Sequence, residues 1–178
     1  MTTLAFFDIE TSGLDPFKHD VIEFGYVLTD ERLTVQAETS FSVPFVIELA
    51  DEGALEVNGC GQREFAGEMA VGAAAGKLIR DLAGATMVVN SLQFDLTFTS
   101  VFLHRYGQDI DGFSPSPWSH RSVDLKSVTA GRLGLPLHKL TTGGIMHHYG
   151  LRNASAHTAL GDAWFNLDWY RALGLYNG

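Results

Sequence analysis

The sequence has 178 residues, of which 12 are lysine or arginine and 21 are aspartate or glutamate, giving a formal net charge of −9. Proteins that hold duplex DNA along its backbone rely on basic surfaces, so this charge argues against that class. The single cysteine excludes an intramolecular disulfide and a multi-thiolate metal site. The length suits one domain, residues 1–178. Without a signal peptide or a long apolar run, we expect a cytoplasmic protein.

The first third of the sequence predicts a β-meander. Residues 4–9 form an apolar run typical of a central strand. Residues 21–28 and 33–43 are rich in β-branched and aromatic residues, and the four residues 29–32 between them are enough for a hairpin. Residues 44–58 are predicted to be irregular.

The middle of the sequence alternates helix and strand patterns. Apolar residues recur at helical spacing from 65 to 83, and we expect Gly72 and Gly76 to let that helix lie close to the sheet. Residues 86–89 predict another buried strand, and residues 96–106 predict a helix.

The last third is predicted to be mostly helical. A surface connection covers residues 108–121, and short helices follow at 123–133, capped by Asp124, and at 139–149. A final helix carries Leu160, Trp164, Leu167 and Arg171 at the 3.6-residue period. The order of elements predicts an α/β domain with a mixed sheet.

Two acidic residues close the first predicted strand. Asp8 and Glu10 are two positions apart, so the period of a strand places both carboxylates on one face. Like charges held this close suggest oxygen ligands for a hard cation. The pair alone fits a solvated strand end equally well.

Two further segments carry candidate polar residues. Asp95 stands in the first turn of a predicted helix, where an acid usually compensates the helix dipole. His157 and Asp162 are separated by five positions, so they can converge only if His157 lies in the loop before the last helix. Taken singly, each has an ordinary structural explanation.

Together the three segments resemble the signature of the DEDDh 3′-to-5′ exonucleases, the family of proofreading subunits, ribonuclease T and oligoribonuclease. The segments are Phe7-Asp8-Ile9-Glu10-Thr11-Ser12-Gly13-Leu14, Phe94-Asp95 and His157-x-x-x-x-Asp162-Ala163. The resemblance covers roughly residues 4–173 and implies a ribonuclease H-like fold with a mixed five-stranded sheet flanked by helices. The sequence departs from the family at Asn58, where histidine is frequent, and at residues 90–92, where His-Asn-Ala is common.

The resemblance also implies a metal-dependent active site. Four carboxylates suit two divalent cations, Mg²⁺ or Mn²⁺, which such enzymes use in phosphoryl transfer. By analogy with the family, Asp8 would contact both ions, Glu10 and Asp162 would complete one site, and Asp95 would contribute to the other. His157 would be the general base.

The expected substrate is the 3′ end of single-stranded nucleic acid. In the family, the segment after the acid pair holds the terminal nucleotide, which implies binding roles for Thr11, Gly13, Leu14 and Phe94. DNA is favoured over RNA because the opening motif is similar to that of proofreading domains, and this makes a polymerase or replication protein a candidate partner. Two alternatives stay open: an exoribonuclease of the same family, and a catalytically silent binding module in a replication complex.

Overall fold

A computed structural model describes residues 2–65 and 67–175. Within that part of the chain, five strands form one sheet in the order β3–β2–β1–β4–β5. The strands are β1 (Leu4–Thr11), β2 (Val21–Thr29), β3 (Val35–Ser42), β4 (Thr86–Val89) and β5 (Ser122–Asp124). The first three pair antiparallel, whereas β4 runs parallel to both β1 and β5. The predicted mixed sheet with an antiparallel meander is confirmed.

Helices cover both faces of this sheet. They are α1 (Glu52–Val57), α2 (Val71–Asp81), α3 (Leu92–Tyr106), α4 (Leu125–Leu133), α5 (Thr142–Tyr149) and α6 (Ala159–Leu173). Buried side chains of α2 and α3 pack on one face, and those of α4, α5 and α6 pack on the other. None of the helices in residues 2–65 and 67–175 has the length and apolar character needed to cross a membrane.

Two predictions in the first half were wrong. Residues 44–58 are not irregular, because they contain a 3-10 turn at Ile47–Leu49 and then α1. The helix predicted from residue 65 begins only at Val71, since the Met69 amide donates to the Ser42 carbonyl and ties the preceding chain to the end of β3. Gly72 faces open space rather than the sheet, and a Cβ on Gly76 would meet Arg80 and Ile110 side chains.

Several predicted boundaries in the second half also shift. Helix α3 begins at Leu92, four residues early, and Val123 belongs to β5 rather than to a helix. Asp124 caps α4 as predicted, accepting a hydrogen bond from the Ser127 amide. Helix α5 begins at Thr142 because Thr141 caps it.

Helix α6 approaches β2 unusually closely at Gly25. A Cβ added to Gly25 would lie 2.1 Å from the Ala159 carbonyl carbon and 2.2 Å from the Leu160 nitrogen. Since Gly25 pairs with Asp8 across the β1–β2 ladder, this contact places the start of α6 directly over the acidic part of β1. A residue without a side chain is therefore required at this strand position.

We expect Gly25→Ala to destabilise the protein by about 3 kcal/mol or more, the upper range of overpacking costs, because helix backbone cannot rotate away as a side chain can. For a chain of this length that corresponds to a fall in Tm of roughly 6 °C or more. Gly72→Ala is the matched control: its Cβ meets nothing within 4 Å, and alanine is favoured in a helix by about 0.5–1 kcal/mol. Thermal unfolding of both variants measures the difference, and equal Tm values would contradict the close-approach argument.

Candidate active site

Strand alternation places the acidic pair on the α6 side of the sheet. Leu4 and Phe6 pack in the core beneath α6, whereas Phe7 and Ile9 pack in the core beneath α2 and α3. The even positions of β1 therefore face α6, and this pattern continues at Asp8 and Glu10. Carboxylate oxygens of Asp8, Glu10 and Asp162 all lie within 4.8 Å of one another.

Asp162 reaches the cluster from the first turn of α6, and both of its oxygens accept hydrogen bonds. The Asn153 side-chain amide donates to Oδ1, and the His157 backbone amide donates to Oδ2 at 2.9 Å. The helix is capped by Thr158, whose hydroxyl accepts from the Gly161 amide. One carboxylate thus fixes the loop that precedes its own helix.

His157 lies in that loop, as predicted, immediately before the cap of α6. Its backbone φ is +63°, and the residue is exposed to solvent. The φ value is in the left-handed region, which histidine enters more often than most residues. The hydrogen bond from its amide to Asp162 holds this conformation. Burial raises the pKa of the Asp162 carboxyl, and the His157 side chain is near enough for its charge to lower that pKa, against the effect of burial.

Asp95 lies in the first turn of α3, just beyond the end of β4. It is only 3 % exposed, and its Oδ2 has no hydrogen-bond partner within the described residues. Asp95 is not one of the three acids grouped within 4.8 Å, but its charge raises the pKa of Asp8. A buried carboxylate oxygen without a partner is costly unless a cation or water reaches it.

Burial and mutual repulsion make this cluster difficult to ionise. Burial is the main cause that raises the pKa of Glu10 to about 7 and that of Asp95 to about 8. Burial also raises the pKa of Asp8 well above its usual range, and the charges of Asp95 and Asp162 raise it further. Buried oxygen ligands that repel one another in this way are suited to a hard divalent cation.

A buried ion pair supports the cluster from β2. Glu23 pairs with Glu10 across the β1–β2 ladder and is 2 % exposed. Arg63 Nη2 lies 2.9 Å from Glu23 Oε2, and the Ala159 amide donates to the same oxygen at 3.1 Å. The Arg63 charge also lowers the pKa of Glu10, against the raising effects of burial and of Asp162. Arg63 therefore neutralises Glu23, and Glu23 in turn anchors the first residue of α6.

The residues predicted to bind substrate meet around one cavity. A cavity of about 480 Å³, hereafter the terminal cavity, is lined by Glu10, Thr11, Leu14 and Phe94 among others. Leu14 is 78 % exposed, so it projects into this space without packing against the core. Three of the four predicted residues thus line the same wall as a member of the acidic cluster.

The structure explains the glycine at position 13 differently from the sequence-based prediction. A Cβ on Gly13 would lie 2.5 Å from the His19 ring, so the glycine accommodates this buried histidine. The Thr11 hydroxyl, expected to face substrate, donates to the Gly13 carbonyl at 2.7 Å and stabilises the turn. Asn58, which replaces the family's frequent histidine, donates from its side chain to the Thr11 carbonyl. Together these contacts shape the segment that carries Leu14.

Sequence reasoning missed several residues that position the site. Glu23 had a usable signal, since it is a lone acid inside an apolar strand and such an acid must be paired. Asn153 and Arg63 had none, because each acts on a residue distant in sequence and stands in a loop with no periodic pattern. Lys126 was missed as well: it lines a cavity beside Phe94, and its charge lowers the pKa of Asp95.

Comparisons with known proteins identify the family and the fold of the chain. The family model RNase_T, described as an exonuclease, matches residues 5–170. No curated protein sequence is significantly similar to the chain. Several solved structures are similar to the chain. One is a structure of exonuclease I, with a TM-score of 0.80 and 18% identity over 99% of this chain and 42% of that chain. Two others are E. coli exonuclease I with a dT13 oligonucleotide, with a TM-score of 0.76 and 18% identity over 99% of this chain and 42% of that chain, and the zinc-bound E. coli ExoI–ssDNA complex, with a TM-score of 0.76 and 19% identity over 97% of this chain and 40% of that chain.

At these identities the structural likeness shows the fold, and it confirms the predicted ribonuclease H-like architecture. The chain spans about two fifths of the length of the solved structures that it matches.

We expect the metal-free protein to lose stability as the pH rises from about 5 to 8. In that range Glu10 and Asp95 keep protons in the folded state, because their pKa values are about 7 and 8, whereas the same groups in the unfolded chain ionise near pH 4. The folded state therefore binds more protons, and its stability falls with rising pH until both groups have ionised. Thermal unfolding in EDTA at pH 5.5 and pH 8 measures this loss.

Asp8→Asn is the control for this measurement, because it removes one of the repelling charges and should reduce the loss. Replacing EDTA with Mn²⁺ should also reduce the loss of stability between pH 5.5 and pH 8, because the cation neutralises the cluster. A Tm in EDTA that rises between pH 5.5 and pH 8 would contradict the inference that the folded state binds more protons than the unfolded state.

Proposed function

Since the chain belongs to the exonuclease family RNase_T, we propose that it is a metal-dependent 3′-to-5′ exonuclease. Its substrate is single-stranded DNA, from which it releases 5′-mononucleotides. We propose that residues 1–178 form one exonuclease domain; residues 1, 66 and 176–178 lie outside the described part of the chain.

The acidic cluster at the end of β1 is the observation that carries this proposal. Asp8, Glu10 and Asp162 bring their oxygens within 4.8 Å of one another although burial opposes their ionisation. A protein gains nothing in stability from such a group, which favours a catalytic role over a silent binding module. The terminal cavity adjoins the cluster at Glu10.

Asp8, Glu10, Asp95 and Asp162 fit the role of ligands for two divalent cations. Three of them are already grouped, and the fourth has a buried oxygen with no partner in the described residues. When bound, Mg²⁺ or Mn²⁺ would stabilise the charge that develops on phosphate oxygens during hydrolysis. The carboxylates could bind cations without a rearrangement of β1, because strand alternation already points Asp8 and Glu10 towards Asp162.

The terminal cavity would hold the last nucleotide of the strand. Leu14 and Phe94 offer apolar surface to a base, and stacking of this kind accepts any base because each has a π-face. The Thr11 segment supplies a wall fixed by Asn58. Holding the nucleotide here places its phosphate beside Glu10 and the rest of the cluster.

His157 would accept the proton of the attacking water. The water oxygen bonds to the phosphorus of the terminal phosphodiester and stays on the 5′-phosphate of the released nucleotide. The bond from phosphorus to the preceding 3′ oxygen breaks, and that oxygen takes a proton from a solvent water to become the new 3′-hydroxyl. Because the backbone of His157 is hydrogen-bonded to Asp162, the position of the base would stay fixed relative to the metal ligands. An exposed histidine can exchange the proton with solvent between cycles.

DNA is proposed over RNA on two grounds. The opening motif is similar to that of proofreading domains, and the similar exonuclease I structures include complexes with a dT13 oligonucleotide and with ssDNA.

Digestion of matched 5′-labelled DNA and RNA oligonucleotides with Mg²⁺ or Mn²⁺ tests the proposal. We expect a ladder of products shortened from the 3′ end, with DNA degraded faster than RNA. Asp8→Asn is the matched inactive control: it should abolish the ladder while leaving Tm equal or higher in EDTA, because it removes a repelling charge. Absence of a ladder with either metal would overturn the enzymatic proposal, and faster digestion of RNA would overturn the substrate preference.

Asn153 provides a test of Asp162 as a metal ligand. We expect Asn153→Ala to weaken apparent Mn²⁺ affinity by about 10- to 100-fold, because the amide orients the Asp162 carboxylate. Arg152→Ala is the neighbouring control, since Arg152 is exposed and should leave the affinity unchanged. Isothermal titration calorimetry with Mn²⁺ measures the affinity of both variants. Equal affinities would remove Asn153 from the positioning of the metal site.

A further inference from the structure

Two large apolar side chains are exposed in the same turn. Leu14 is 78 % exposed and Phe17 is 77 % exposed, the highest values among the large apolar residues of the described chain. Leu14 has a place in the proposed function because it lines the terminal cavity. Phe17 has none, but it borders a second cavity, and exposed apolar side chains beside a groove mark candidate ligand contacts.

Phe17 is held in its exposed position by three hydrogen bonds and an ion pair. Its amide donates to Asp15 Oδ1 at 2.9 Å, and Arg105 Nη2 donates to the Phe17 carbonyl at 2.9 Å and to the Pro16 carbonyl at 3.5 Å. Arg105 also lies 3.3 Å from Asp20 Oδ1. The backbone of the turn is thus tied to α3, in the conformation that leaves the Phe17 ring exposed.

Beside the Phe17 ring lies a cavity of about 510 Å³, hereafter the Phe17 cavity. Its opposite walls come from α3, including Thr97 and Arg105, and from the loop that carries Trp118. The lining is mostly apolar, with two aromatic rings, and it contains His104 and Arg105 but no acidic residue. Because Arg105 is paired with Asp20, the apolar walls and aromatic rings favour a flat aromatic ligand more than the charge does. The absence of an acid from the lining, in a chain with a net charge of −9, leaves room for a ligand that carries phosphate.

The Phe17 cavity is linked to the candidate active site through a chain of adjacent cavities. Leu14 and Phe94 line both the terminal cavity and a middle cavity of about 470 Å³. Thr97 lines both the middle cavity and the Phe17 cavity. The three cavities therefore lie side by side along α3, and this row of cavities, hereafter the trough, leads away from the acidic cluster.

We propose that the Phe17 cavity binds a base of the substrate strand on the 5′ side of the scissile bond, with Phe17 and Trp118 as stacking surfaces and Arg105 near the backbone phosphate. This inference rests on the proposed function, because the strand reaches the trough from its 3′ end in the terminal cavity. Aromatic side chains beside a basic residue are the usual means of holding single strands without reading their sequence.

Kinetics with oligonucleotides of increasing length test this site. We expect wild-type KM to fall as DNA length increases from two to six nucleotides, and Phe17→Ala to raise KM for the hexanucleotide by about fivefold or more, the lower end of base-stacking effects. Because Phe17 is largely exposed, the variant should keep the wild-type Tm. Leu135→Ala is the matched control, since Leu135 is 44 % exposed and lies outside all three cavities.

A binding measurement separates this site from catalysis. In the inactive Asp8→Asn protein, a hexanucleotide should quench tryptophan fluorescence and a dinucleotide should not, and Trp118→Phe should remove the quench. If wild type degrades DNA but Phe17→Ala has an unchanged KM for the hexanucleotide, the inference is overturned and the proposed function stands; that result would suit an apolar protein segment as occupant. If wild type degrades no oligonucleotide while the hexanucleotide still quenches Trp118, the binding site stands and the proposed function fails.

Discussion

The hydrogen bond from the Ala159 amide to the Glu23 carboxylate is the interaction on which the site depends. It holds the start of α6 against β2, where Gly25 leaves room for helix backbone. Only in that position can Asp162, one turn into α6, reach the carboxylates of β1. An amide at a helix start is a favourable partner for an anion, so a buried acid of β2 serves as an anchor rather than as another ligand.

This anchor limits the repulsion that the cluster imposes on the fold. Glu23 lies next to Glu10 on the neighbouring strand and would add a further negative charge, but Arg63 pairs with it at 2.9 Å. Removing the guanidinium would take away the counter-ion of a buried carboxylate, a change that typically costs about 3–5 kcal/mol. The loop that carries Arg63 therefore contributes to the site although it holds no candidate catalytic residue.

Local patterns in the sequence predicted strands β1 to β4 but not β5, and only the resemblance to the exonuclease family brought the acidic residues into one predicted site. The alternation of β1 predicted that Asp8 and Glu10 share a face, and the spacing of His157 and Asp162 predicted a loop before α6. The start of α2 could not be predicted locally, because a hydrogen bond to Ser42 in β3 opposes the helical pattern there. Asn153 was missed for a related reason: its role depends on a carboxylate nine residues away, and a single loop asparagine has no periodic signature.

The distribution of charge explains how an acidic chain can suit nucleic acid. Four of its acidic residues surround the site where cations would bind, and two bound divalent ions would offset their charge. Asp124, the acid that lines the middle cavity, accepts hydrogen bonds from the Leu92 and Ser127 amides. Beyond it, the Phe17 cavity is lined by basic and aromatic residues without an acid. The net charge thus opposes contact over the whole surface, whereas the trough along α3 would suit the single strand that we propose enters it by its 3′ end.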